Sequence, residues 1–91
     1  MPSFDPILDY APDEKCYVLI RIDRNELKIE VAICDYKHVI HAVYRGARAQ
    51  DIYYQIFRDD WITRVDHAAY LGKELKKAEI CMAGGMEFYQ E

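Results

Sequence analysis

The spacing of the apolar residues changes once along this chain, and that change limits the folds open to it. Over residues 15–44 hydrophobic side chains recur at every second position; from Ala47 onward they recur at every third and fourth. Period two marks a strand with one buried face, and the three-four spacing marks an amphipathic helix. Three strands on short polar links, followed by two helices, predict an α+β domain. Its expected order is β-β-β-α-α, a three-stranded antiparallel sheet with both helices on one face.

The first predicted strand, residues 15–23, puts Cys16, Val18, Ile20 and Ile22 on the core side and Tyr17, Leu19, Arg21 and Asp23 on the other. A polar turn at residues 23–26, with Asn25 suited to the left-handed conformation, leads into the second strand. There Leu27, Ile29, Val31 and Ile33 alternate with Lys28, Glu30, Ala32 and Cys34. After a tight link at residues 35–37 the third strand, residues 38–44, is expected to turn Ile40, Ala42 and Tyr44 inward. His38, Val39, His41 and Val43 are left toward solvent.

The first helix starts near Ala47 and buries Ala49, Ile52, Tyr53, Ile56 and Phe57. It should stop at Asp59 and Asp60, because acids oppose the dipole at a helix C-terminus. Trp61 and Ile62 tuck the link into the core. The second helix opens at Thr63, where the Thr-x-x-Asp spacing to Asp66 has the form of a capping box. Val65, Ala68, Leu71, Leu75, Ala78 and Met82 form its apolar stripe, and Ala83, Gly84 and Gly85 stop it. Residues 86–89 form a short edge strand or a packed tail. Residues 1–13, with Pro2, Pro6 and Pro12, are expected to form a loose arm, and residues 14–91 a single domain.

Charge and cysteine use narrow the function classes. A net charge of −4 argues against binding a phosphate backbone, which needs clustered Lys and Arg. Cys16, Cys34 and Cys81 match no disulfide or zinc spacing, so no metal site is expected and all three read as small apolar residues. No apolar run suits a membrane span or a signal peptide, which makes a cytoplasmic location the expectation. Eight Tyr, against three Phe and one Trp, suit a half-exposed surface or an interface.

One corner has the residue types of a site. Arg64, Asp66, His67 and Tyr70 cluster at the start of the second helix, and His67, Tyr70, Glu74, Lys77 and Cys81 follow one line away from the Leu71 and Leu75 stripe. Arg64 beside a helix N-terminus suits an anion, and Arg45 or Arg48 could join it from the strand-to-helix turn. The bland alternative has Asp66 capping, Arg64 paired with Asp59 or Asp60, and His67 bonded to backbone. His67 and Glu74 lie two turns apart, too far to chelate one ion, and Cys81 lacks a base, so no catalytic residue is assigned. Gly72, inside the helix, costs about 1 kcal/mol against Ala and points to close approach by another group. The first helix is the expected neighbour, ahead of a second protomer or a flat ligand.

The run Thr63-Arg64-Val65-Asp66-His67-Ala68-Ala69-Tyr70-Leu71-Gly72-Lys73-Glu74-Leu75-Lys76-Lys77-Ala78-Glu79 resembles the signature of a small domain-of-unknown-function family. The resemblance extends from Glu14 to Glu91 and includes Ile20-Arg21-Ile22-Asp23-Arg24, Arg45-Gly46 and Glu87-Phe88-Tyr89-Gln90-Glu91. That family occurs alone in bacteria, and appended to proteins similar to dihydropteroate synthase and to tetrahydromethanopterin methyltransferase. The resemblance implies a link to pterin chemistry but transfers no catalytic residue. This chain departs from the pattern at Asp60-Trp61-Ile62 and at Ala47-Arg48, where an acid is lost from the helix start and Arg48 is added. The expectation is a non-catalytic accessory domain without cofactor, a homodimer or part of a larger assembly. The alternative is a pterin-like or anionic ligand, possible chemistry included, held by Arg64, Asp66, His67, Tyr70, Glu74 and Arg45.

Overall fold

A computed structural model describes residues 8–11, 14–35 and 37–91 of the chain. Its elements run β1 (Leu8–Ala11), β2 (Glu14–Asp23), β3 (Lys28–Asp35), β4 (Ile40–Gly46), α1 (Ala49–Arg58) and α2 (Val65–Gly84). The three expected strands form an antiparallel sheet with both helices following, so the α+β class holds. One strand is added: Leu8–Ala11, within the proline-rich arm, pairs antiparallel with β2 and gives the order β1-β2-β3-β4. The rest of the arm and the side chain of Cys16 lie outside the described residues.

The register explains the core. Val18 sits opposite Ile33, and Ile20, Val31 and Tyr44 form one row across three strands. All five are buried, packed against Ile52 and Ile56 of α1 and Leu71, Leu75 and Ala78 of α2. Each fully buried aliphatic side chain contributes roughly 1.5–3 kcal/mol, which outweighs any local propensity in these segments. The inward set of β4 is as expected for Tyr44 and Ala42, while Ile40 at the strand's beginning is exposed.

Turn chemistry departs from the sequence reading in two places. In the β2–β3 turn the Asp23 carboxylate accepts the N–H groups of Asn25 and Glu26. The left-handed residue is then Leu27, at φ 54, instead of Asn25, and Leu27 leaves the core face. After β3, Asp35 accepts the amides of Lys37 and Val39 and the His41 ring nitrogen, which closes the next turn. His38 there has a positive φ and its ring bonds the Tyr17 hydroxyl at 2.9 Å. Tyr17, expected toward solvent, is consequently buried on the face away from the helices, beside its cross-strand neighbour Cys34.

The two helix starts are also built differently from expectation. The N-cap of α2 is Arg64, not Thr63, and no side chain caps it; Asp66 turns to Arg64 and to the His67 amide instead. The N-cap of α1 is Arg48, again without a local side-chain cap. Its acid comes from α2: Glu79 Oε1 accepts the Ala49 N–H at 2.7 Å while Oε2 takes the Lys76 ammonium. At the other end of α1, Asp59 accepts the Tyr44 hydroxyl at 2.6 Å, and the Trp61 indole donates to that same hydroxyl. Burial, with the Asp59 carboxylate beside it, pushes the Tyr44 hydroxyl up to about 12.

The Lys76 ammonium and the Ala49 amide hold the Glu79 carboxyl below its usual range. A depressed folded-state value means stability that is present above the unfolded value and lost as pH falls through the folded one. Glu79→Gln, which keeps an acceptor but removes the charge, is expected to lower stability by roughly 0.3–1 kcal/mol at neutral pH. Urea titrations should show that gap narrowing as pH falls below the ordinary glutamate range; a gap independent of pH would mean Glu79 acts only through packing.

Candidate functional site

Helix α2 carries most of the residues singled out from the sequence, and the structure divides them. Arg64 and Asp66 face solvent and bond each other in a two-point pair, Nε–Oδ1 at 3.1 Å and Nη2–Oδ2 at 2.8 Å. Desolvation works against it, yet the Arg64 guanidinium and the His67 amide together hold the Asp66 carboxyl low. Arg64 therefore pairs with neither Asp59 nor Asp60. Arg45 belongs to another surface: its guanidinium meets Asp23, Glu26 and Glu30, with Arg21 also on Glu30, in a ladder on the sheet face turned away from the helices.

His67 and Glu74 change sides relative to the sequence reading. Both are buried, at 7% and 0% exposure, while Val65, placed at the head of the apolar stripe, is 88% exposed. For Glu74 the reason is a piece of tertiary structure without its own period. Residues 86–91 leave the left-handed Gly85 cap and run back along α2 with no regular element. Glu74 Oε1 accepts the Glu91 amide at 3.0 Å and the Lys77 ammonium at 3.1 Å, and its Oε2 is buried with no hydrogen-bond partner among the described residues. The Tyr70 hydroxyl donates to the Glu91 carbonyl at 2.7 Å and accepts from the Gln90 amide. The Glu91 carboxylate lies on Lys73, with Lys77 beyond it, and both cations lower it. Phe88 packs on the core under the Lys77 ammonium, and Arg24 donates to the Met86 carbonyl.

Gln90 explains why this segment stays down. Among the described residues β1 pairs with β2 from Glu14 to Cys16, and no strand pairs with the outer edge of β2 at Val18 and Ile20. The Gln90 carboxamide fills that gap: its Nε2 donates to the Val18 carbonyl at 2.6 Å and its Oε1 accepts the Ile20 N–H at 2.9 Å. One side chain thus stands in for a strand at an open edge, where unpaired backbone groups would invite another chain. Neither Gln90 nor Glu91 stood out in the sequence except through the family resemblance of the last five residues.

Two grooves lie elsewhere. One, of about 590 Å³, runs between the start of α1 and the middle of α2; Arg48, Tyr53, Gly72, Lys76, Glu79 and Met82 line it. Tyr53 is the neighbour of Gly72, as expected for packing by the first helix, with its Cε2 3.4 Å from where a Cβ would stand. The other, of about 830 Å³, crosses α1 near Arg45, Gln50, Tyr54 and Phe57. Among the described residues no group of three His, Cys, Asp or Glu is placed to hold a metal ion, and no helix is long and apolar enough to cross a membrane.

The profile of the family described as PterinBD-DUF4346 matches residues 12–91, nearly the whole of this architecture. The chain belongs to that family. PterinBD-DUF4346 is a small domain of unknown function whose name carries a pterin-binding element. Two relatives are similar to it: the uncharacterized protein MJ0107 of Methanocaldococcus jannaschii, 33% identical over 91 residues, and a Ycf91-like protein of Nostoc, 36% identical over 52 residues. The first alignment covers 94% of this chain and the second 54%. The chain spans 17% of the length of the former relative and 41% of the latter. No solved structure matches the chain.

Gln90→Ala would leave the Val18 carbonyl and Ile20 amide of this PterinBD-DUF4346 domain unpaired at the sheet edge. The expected loss is about 1–2 kcal/mol of stability, with faster hydrogen exchange at the Ile20 amide and little change at Val31 in the sheet centre. Unaltered exchange at Ile20 would show that the carboxamide is not what closes the edge.

Proposed function

We propose that this domain is a non-catalytic accessory module that associates with protein, in the first instance with a second copy of itself. The observation that carries this reading is the apolar patch at the free β4 side of the sheet. Val39, Ile40 and Val43 are 51%, 58% and 57% exposed, on or beside an edge strand that, among the described residues, pairs only with β3. Leu19, Ala32 and Val43 lie in register, so the patch continues across the outer sheet face. Edge strands of soluble proteins are usually blunted by charge, proline or a covering element, and apolar side chains on such an edge support pairing with another strand. The use of Tyr70, Lys73, Glu74 and Lys77 as fastenings for residues 86–91 supports the absence of catalysis, since each group is already engaged. The length of MJ0107, of which this chain matches a small part, supports a module that works beside other domains.

A pterin-like or anionic ligand at the start of α2 is the second reading. The exposed Arg64 guanidinium and the family's name support it; the two-point pairing with Asp66 weighs against it.

Light scattering on the eluting protein tests the leading reading. A dimer is expected, converted to monomer by Val43→Asp with its circular dichroism and melting temperature retained. A wild-type mass equal to one chain across a wide concentration range would overturn self-association.

A further inference from the structure

We propose that the groove between the start of α1 and the middle of α2 is a binding site for a planar aromatic anion. The first observation is Gly72. A Cβ added there would meet Tyr53 at 3.4 Å, an ordinary contact, so packing by α1 does not demand a glycine. Alanine would also favour the helix. Gly72 lines the groove beside the Tyr53 ring, and an added Cβ there would narrow it. The second observation is the ring on the same wall. Tyr53 is half-buried and held edge-on by Phe57, with ring centroids 4.8 Å apart at 65°, so its plane is set before any ligand arrives.

Charge identifies the ligand's sign. The groove is lined by Arg48 and Lys76 against the single carboxylate of Glu79, an excess of positive charge in a chain whose net charge is −4. Glu79 is held by the Ala49 amide and by Lys76, which leaves Arg48 as the cation with no hydrogen bond or salt bridge among the described residues. Arg48 is the N-cap residue of α1, and its charge also bears on Glu79 across the groove. A volume of about 590 Å³ lies in the roughly 300–1,000 Å³ range of small-molecule sites and suits a bicyclic ring with one carboxylate. The ring lies along Tyr53 and Gly72, and the carboxylate meets Arg48. Arg64 and Asp66 take no part.

Titration of the full chain with pterin-6-carboxylate and with 2-naphthoate, followed by ligand fluorescence and by amide chemical shifts, tests this. Saturable binding by at least one probe is expected, with shifts at Arg48, Gln50 and Gly72. Arg48→Ala should weaken it by roughly tenfold or more, as loss of a charge-assisted bond implies. Gly72→Ala should weaken it several-fold with a melting temperature equal to or above wild type. Arg64→Ala should leave it unchanged, as should Val43→Asp, so that failure of self-association cannot be mistaken for failure of the groove. Absence of saturable binding by either probe, binding indifferent to both Arg48→Ala and Gly72→Ala, or loss on Arg64→Ala would overturn the proposal.

Discussion

One face of the sheet has to be covered, and two helices totalling thirty residues do the covering. Val18, Ile20, Ile29, Val31 and Ile33 present an unbroken apolar surface, and Ile52, Ile56, Leu71, Leu75 and Ala78 are what meets it. Every polar arrangement in the domain is subordinate to that contact. The helices are set by the core, and their ends must then find hydrogen-bond partners wherever the packing has left them. For α1 the partner is Glu79, thirty residues away in sequence and next door in space.

The same contact accounts for the fate of the motif on α2. With Leu71 and Leu75 turned to the sheet, Tyr70, Lys73, Glu74 and Lys77 line the flank next to the open edge of β2. Residues 86–91 close over that flank, and the side chains that read as chemistry become the fastenings of a strap. Glu74 is the clearest case: a fully buried carboxylate is tolerable because a lysine and a backbone amide share one of its oxygens. Elsewhere on the helix pair Arg48 borders the groove that Tyr53 and Gly72 help to line.

Much of the strand and helix pattern was legible because periodicity reports burial directly, and burial is what those segments exist to achieve. The inward Val18, Ile20, Ile29, Val31 and Ile33, the buried Ile52, Ile56, Leu71, Leu75 and Ala78, the Gly85 cap and the Tyr44 side of β4 follow from spacing and turn chemistry. Leu27, Phe57 and Val65, expected inside, are exposed. Where the pattern misleads, short-range rules compete with partners from afar. Thr63 loses its cap role to Arg64, and Asp66 pairs with that guanidinium. Glu74 reads as lying away from the core because nothing in the helix period announces a covering tail. Leu8–Ala11 is hidden among prolines, whose local effect on backbone outweighs in sequence what a neighbouring strand edge can supply in space.

By itself, then, the amino-acid order determined the fold class, the core faces and the family motif, since each depends on residues within a few positions of one another. Only the tertiary structure decided which charged groups are occupied and which are available. Arg45 went to the hairpin carboxylates, Arg64 to Asp66, Glu79 to the start of α1 and Glu74 to the returning tail. Most of those pairings are made between elements distant in sequence, and their strength depends on distance and desolvation, neither of which a linear pattern encodes.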